Sequence, residues 1–263
     1  MQLIITGATG TAGSEVLRQA LLDARVTAVT VLTRRPLPPH VAPSSPSPKL
    51  RVLLHDDFAS YPASLLSQLK GYDACIWALG KSSLGMKEAD YERLTVDYAV
   101  EAAKAFAGLK AAGGEGAGNS EKKGGFVFAF VSGEGTDQRE GKASQMFGRV
   151  KGKAERTLAS LPTTGFPSLA PFSFRPGGIL PVQPVPEAPW FYRFPFSAVL
   201  SGLNVVAPSH MIKTDVLARG MIEACLKGSS GRIEGWPGKG ESGNEGVFAN
   251  QEIKRLAEGK AAS

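Results

Sequence analysis

Residues 6–13 read TGATGTAG, set between the apolar run MQLII (1–5) and the helix-like stretch SEVLRQALLDA (14–24). Such a stretch is either a tight loop or a cradle built around a phosphate, and the choice decides the fold. Gly7 can take backbone angles that clash for other residues, Gly10 lets the backbone approach a pyrophosphate, and Gly13 lets the helix pack closely on the strand. The helix start adds free N–H groups and a partial positive charge. The spacing is G-x-x-G-x-x-G rather than the commoner G-x-G-x-x-G, so it is the strand-turn-helix setting that points to a phosphate.

Working outward, strand-length apolar runs recur at LIIT (3–6), AVTVLT (28–33), LRVLL (50–54), ACIWAL (74–79), FVFAFV (126–131) and FSF (172–174). Continuous apolar runs suit strands buried on both faces of a parallel sheet. Helical patterns fill several gaps: 14–24, 88–112 with Leu94, Tyr98, Ala102 and Ala105 on one face, and 148–161. Strand and helix in alternation predict an α/β fold, a doubly wound parallel sheet of Rossmann type. The proline- and serine-rich segment 35–49 reads as a loop, and the low-complexity 111–125 as a surface excursion.

Past Arg175 the pattern weakens, with a helix capped at Thr214 and a short terminal helix over 250–259. The division expected is 1–175 as the dinucleotide-binding domain and 176–263 as a small C-terminal, substrate-side lobe completing the same unit. Trp190, Phe191, Tyr192, Phe194 and Phe196 fall in that lobe. They suit either an apolar substrate or partner surface or a small core.

Composition narrows the function. The two cysteines, Cys75 and Cys225, sit in apolar contexts and read as buried thiols, and three scattered histidines lack zinc-ligand spacing. The net charge of +6 is spread along the chain, whereas nucleic-acid binding calls for a basic stripe with stacking aromatics. No apolar run approaches the ~20 residues that span a bilayer, and the first strand leaves no room for a cleaved leader. A cytoplasmic protein acting on a small molecule, with a possible protein partner or homo-oligomer, is expected. At the end of the second strand, where a carboxylate marks a free ribose 2′-hydroxyl, stand Arg34 and Arg35. Their forked donors favour the 2′-phosphate of NADP(H) over NAD(H).

TGATGTAG, LTRRP, the acidic pair Asp56 and Asp57, ALG at 78–80, VS at 131–132, VKGKAE and FRPG follow in one order. This order resembles the short-chain dehydrogenase/reductase superfamily, in particular its atypical Tat-interacting-protein-like and NmrA-like relatives. The likeness covers most of residues 1–180. It implies that Gly7, Thr9, Gly10, Thr11, Ala12 and Gly13 line the pyrophosphate, Arg34 and Arg35 the 2′-phosphate, and Asp57 and Phe58 the adenine. Ala78, Leu79 and Gly80 are implied at the nicotinamide-side ribose. Members of the family hold the substrate oxygen with a serine, donate a proton from a tyrosine and grip the ribose with a lysine four residues later. Ser132 and Lys151 match the serine and lysine, but Phe147 stands where the tyrosine belongs.

Phenylalanine has no proton to give, so carbonyl reduction lacks its usual acid. The leading expectation is an NADPH-dependent oxidoreductase acting on a small apolar carbonyl or enone, its proton coming from water, Ser132 or the small lobe. Tyr192 and His210 are the substitutes available in that lobe. The alternatives are a catalytically silent NADP(H)-binding regulator or scaffold, and a redox-neutral epimerase or lyase.

Overall fold

Alternating side chains of the first strand, β1 (Gln2–Thr6), face two different cores: Leu3 and Ile5 one way, Ile4 the other. Both faces being apolar, the strand must be covered on both sides, which is why its sequence runs apolar without a break. The computed structural model describes residues 1–110, 124–139, 145–183, 208–231 and 246–259. Around β1 gather β2 (Ala28–Thr33), β3 (Leu50–Leu54), β4 (Ala74–Trp77), β5 (Phe126–Val131), β6 (Leu169–Arg175) and β9 (Val247–Ala249). They form a seven-stranded sheet in the order β3-β2-β1-β4-β5-β6-β9, parallel at every pairing. A pair of short strands, β7 (Gly178–Leu180) and β8 (Met211–Lys213), lies apart from it.

The strand order runs one way from β1 to β3 and the other from β4 onward. The crevice between the carboxyl ends of β1 and β4 is therefore the topological switch point, where ligands bind in open α/β sheets. Register brings Thr6 level with both Leu32 and Trp77, so the loops after β1, β2 and β4 leave the sheet along one rim.

One face is covered by α1 (Thr11–Leu22), α6 (Thr214–Ser229) and α7 (Asn250–Ala257), with Val16, Leu17, Met221, Ile253 and Leu256 in its core. On the other face, α4 (Tyr98–Phe106) and α5 (Met146–Ser160) bury Ala99, Phe106, Val150 and Leu158 against Cys75, Trp77 and Phe128. The short helices α2 (Ala63–Gln68) and α3 (Glu88–Glu92) complete this side. The fold is thus α/β and doubly wound, as the alternating pattern predicts. Among the described residues no helix is long and apolar enough to cross a membrane. Cys75 and Cys225 are free and fully buried, and burial pushes both thiols well above their ordinary range.

Four details differ from the sequence reading. β4 stops at Trp77 rather than at Leu79, because the backbone at Ala78 turns against Gly7. The helix expected over 88–112 is interrupted by a π-turn at Arg93–Asp97. A π-turn adds a residue and rotates the downstream face. Hence Thr95, Val96, Ala99, Val100, Ala103 and Phe106 are buried, and of the face expected from the sequence Ala102 is fully buried while Leu94, Tyr98 and Ala105 are only half-buried. At α6 the N-cap is Lys213, with no side-chain cap; the buried Thr214 hydroxyl instead accepts the N–H of Val182 at 3.1 Å. Arg175, which at a strand end reads from the sequence as a residue ordering loops through their carbonyls, bonds a carboxylate instead, as described below. The 35–49 segment forms no helix, and Val52 and Leu54 of the edge strand β3 stay exposed.

Candidate functional site

The glycine turn is shaped by contacts that exclude side chains at two of its three glycines. Gly7 has φ +68°, and a Cβ there would sit 2.3 Å from the Ala78 carbonyl oxygen; one on Gly13 would sit 2.2 Å from the Gly7 oxygen. Gly10 is different. Its backbone is extended, its N–H donates to Gly7 O at 2.9 Å, and a Cβ on it would meet only Gly7 O, at an ordinary 3.4 Å. Gly10 is also the N-cap of α1, which has no side-chain cap and no acidic residue in its first turn. The first N–H groups of a helix have no intrahelical acceptor, so this end presents open donors to an anion. The space over Gly10 and the open helix start fit a dinucleotide pyrophosphate.

The remaining loops of the rim carry the other residues expected on the cofactor side. Arg34 and Arg35 follow β2 and are exposed, and Thr33 Oγ1 donates to Arg35 O at 2.9 Å, fixing the exit from the strand. Asp57 Oδ1 accepts the Ala59 N–H at 3.0 Å. Phe58 is only 2 % exposed, with its ring edge-on to Trp77 and tilted against Tyr98, so the side chain belongs to the core. Ala78 and Leu79 are half-buried and Gly80 is exposed. Thr9 and Thr11 line a cleft of about 350 Å³ between α1, residues 40–44 and Pro181. That cleft contains none of Ser132, Phe147 or Lys151, and so lies away from the position matching the family's catalytic residues.

Ser132, Phe147 and Lys151 do come together. The loop after β5 begins with Ser132, whose N–H donates to Phe174 O at 2.8 Å and whose Oγ lies 3.1 Å from Thr136 Oγ1. Lys151, one turn beyond Phe147 on α5, donates to Ser132 O at 2.7 Å. Burial lowers the Lys151 ammonium to about 8, partly opposed by Glu155. A Cβ on Gly133 would lie 3.7 Å from Lys151 Nζ, and one on Gly135 would lie 3.3 Å from the Phe147 ring. The loop 132–135 thus lies across both side chains.

Sequence reasoning missed several residues around this cluster. Glu155 lies on the buried side of α5 and takes both Arg175 Nε at 3.0 Å and Arg175 NH2 at 2.5 Å, with Gln138 Nε2 at 2.9 Å. An acid on a stripe holding Val150, Ala154 and Leu158 was the available signal. Glu134, between Gly133 and Gly135, faces His210 with 2.7 Å between Oε1 and Nδ1. Asn250 donates to Ser209 O at 2.6 Å and accepts the Gly177 N–H at 3.0 Å. Nothing in the local sequence marks these two contacts, which join segments far apart in the chain. The aromatic group from Trp190 to Phe196 and most of 111–125 lie outside the described residues.

No family model matches the chain. It is 32% identical over 161 residues to the leucinostatins biosynthesis cluster protein T of Purpureocillium lilacinum, an alignment covering 61% of this chain and 52% of that protein. The match thus spans about half the length of that curated relative. Among solved structures, the reductase domain of PhqB from Penicillium fellutanum matches with TM-score 0.60 at 16% identity, over 86% of this chain and 64% of that one. The dTDP-glucose 4,6-dehydratase DesIV of Streptomyces venezuelae, solved with NAD, matches with TM-score 0.61 at 16% identity, over 99% and 82%. UDP-glucuronic acid 4-epimerase of Bacillus cereus, also with NAD, matches with TM-score 0.58 at 13% identity, over 100% and 86%. At such identities the likeness is one of fold.

Proposed function

We propose that the chain is a dinucleotide-dependent enzyme of the short-chain dehydrogenase/reductase type, transferring hydride at a carbonyl or carbinol carbon of a small molecule. One observation carries the reading: an uncapped, acid-free helix start over a glycine turn, placed at the switch point of the sheet. Bound there, a nicotinamide dinucleotide supplies the hydride donor or acceptor. The first turn of α1 holds the pyrophosphate, and Arg34 and Arg35 pair with a 2′-phosphate, which makes NADP(H) the preferred form. Lys151 grips the nicotinamide ribose, reaching it from beside Ser132 O. A relative named for a biosynthesis cluster supports a small-molecule substrate.

Within this class, a reductase of an apolar carbonyl or enone and a redox-neutral epimerase or dehydratase share their first chemical demand, a hydride move coupled to a proton at oxygen. Solved relatives of fold that are an epimerase and a dehydratase with NAD favour the redox-neutral form. That form keeps its cofactor through the cycle, whereas a reductase must exchange it.

Calorimetric titration with NADPH and NADH, together with release of any co-purified nucleotide on denaturation, tests both points. Tight NADPH binding that falls at least tenfold in Arg34→Ala/Arg35→Ala, with NADH binding unchanged, is the expected outcome. Retained nucleotide identifies the redox-neutral form. A folded, nucleotide-free protein that binds neither form removes the proposal.

A further inference from the structure

We infer that His210, oriented by Glu134, is the proton-transferring group that Phe147 cannot be. The inference rests on the hydride-transfer reading above and adds the acid that the reading lacks.

Glu134 sits between two glycines that mark the catalytic position. Gly133 approaches Lys151 Nζ and Gly135 approaches the Phe147 ring. Glu134 itself is tied down by its N–H, which donates to Pro176 O at 2.9 Å. Its carboxylate meets His210 Nδ1 at 2.7 Å through Oε1, while Oε2 lies 2.9 Å from where a Cβ on Gly177 would be. Gly177 has room for nothing larger, since that same Cβ would lie 2.0 Å from His210 O. The histidine is therefore packed onto the turn that follows β6, and its partner Glu134 is one residue along the chain from each of the glycines beside Lys151 and Phe147.

The backbone of His210 is clamped as well. Asn250 Nδ2 donates to Ser209 O and Met211 O, on either side of it, and Gln251 Nε2 donates to Ser209 O at 3.0 Å. Three separate segments hold this residue, yet its side chain is 65% exposed. An imidazole fixed by one nitrogen and open at the other is how an acid/base group is presented to a substrate. With Nδ1–H donating to the carboxylate, Nε2 is left for the reacting oxygen. Among the described residues the carboxylate of Glu134 from the β5–α5 loop faces it, and α7 presents the neutral Asn250 and Gln251.

The step balances simply. In the reducing direction a bound reduced nicotinamide would supply hydride to the carbonyl carbon, and the π pair would move to oxygen. That oxygen takes the proton from Nε2 of the imidazolium, and solvent reprotonates the ring. In the oxidising direction, neutral Nε2 would remove the hydroxyl proton, and the hydride leaving the carbinol carbon would go to the oxidised nicotinamide. Glu134 is a positioning residue, holding the tautomer and stabilising the imidazolium.

The test uses full-length protein loaded with NADPH, assayed across pH against a panel of aldehydes, ketones, enones and phenanthrenequinone. His210→Asn is expected to lower kcat by about 10²–10³-fold with NADPH affinity unchanged. Phe147→Tyr in the His210→Asn background is expected to restore part of it. NMR of the histidine rings supplies a readout independent of activity: Glu134→Gln should shift the His210 ring nitrogen resonances, because it changes the acceptor at Nδ1.

Full activity in His210→Asn overturns the inference, as do His210 ring resonances unmoved by Glu134→Gln. Wild-type protein that binds NADPH but turns over no probe also overturns it and leaves a cofactor-binding protein. Absence of NADPH binding removes the underlying reading as well.

Discussion

Gly7 and Gly10 are the same residue type under opposite demands. At Gly7 a left-handed φ and a carbonyl 2.3 Å from any Cβ both forbid a side chain, whereas Gly10 has ordinary angles and room for a methyl. Gly7→Ala should therefore cost more than about 3 kcal/mol in chemical denaturation. Gly10→Ala should change stability by less than about 1 kcal/mol, yet weaken NADPH binding at least tenfold by calorimetry. Lys151 gives a second prediction. Its ammonium titrates in the fold at about 8 against an ordinary 10.5. Below pH 8 both folded and unfolded chains carry the proton, and the fold bears the full cost of the buried charge. Between about 8 and 10.5 the unfolded chain binds more protons, so stability rises with pH, by up to about 3 kcal/mol. Denaturation midpoints should show this rise in the wild type, and Lys151→Met should lack its share of it.

At the scale of elements, α5 links the cofactor side of the site to the sheet through two side chains a turn apart. Lys151 reaches the loop after β5 and Glu155 reaches Arg175 at the end of β6. The Glu155–Arg175 pair is buried, with side chains 0% and 13% exposed. Removing one partner leaves an uncompensated charge, so Glu155→Gln is expected to destabilise by about 3 kcal/mol in urea denaturation. Because Arg175 leads into the Pro176–Gly177 turn that carries Glu134 and His210, that variant should also shift the His210 ring resonances. The helix before β5 shows the limit of periodicity arguments: one π-turn at 93–97 re-aims every residue after it. A count over the intact stretch finds Ala102 in the core but leaves Leu94, Tyr98 and Ala105 at its margin.

Across the whole molecule, the C-terminal segments complete what the N-terminal ones begin. β9 pairs with β6 over Ser173–Arg175, and α6 and α7 put Leu217, Met221, Ile222, Ile253 and Leu256 into the same core as α1. A chain ending at residue 175 exposes that apolar face and the β6 edge together. It should show no cooperative thermal transition, while full-length protein does. Saturating NADPH at about 100 times its Kd should raise the full-length midpoint by roughly 5–10 °C, since binding to the folded state alone adds about 2.7 kcal/mol.

What the sequence by itself determined was local: six apolar runs of strand length, all but the edge strand β3 buried in the sheet, glycines where a strand meets a helix, and a phenylalanine four residues before Lys151. From these follow the doubly wound sheet and the place of the turn, because each signal lies within one element or its immediate flank. Only the tertiary structure decided which side chains meet. Glu134 and His210 are 76 positions apart, Glu155 and Arg175 20, and Asn250 and Gly177 73. Such pairings depend on how loops leaving parallel strands converge on one rim of the sheet, and no periodicity within a segment records where another segment will arrive.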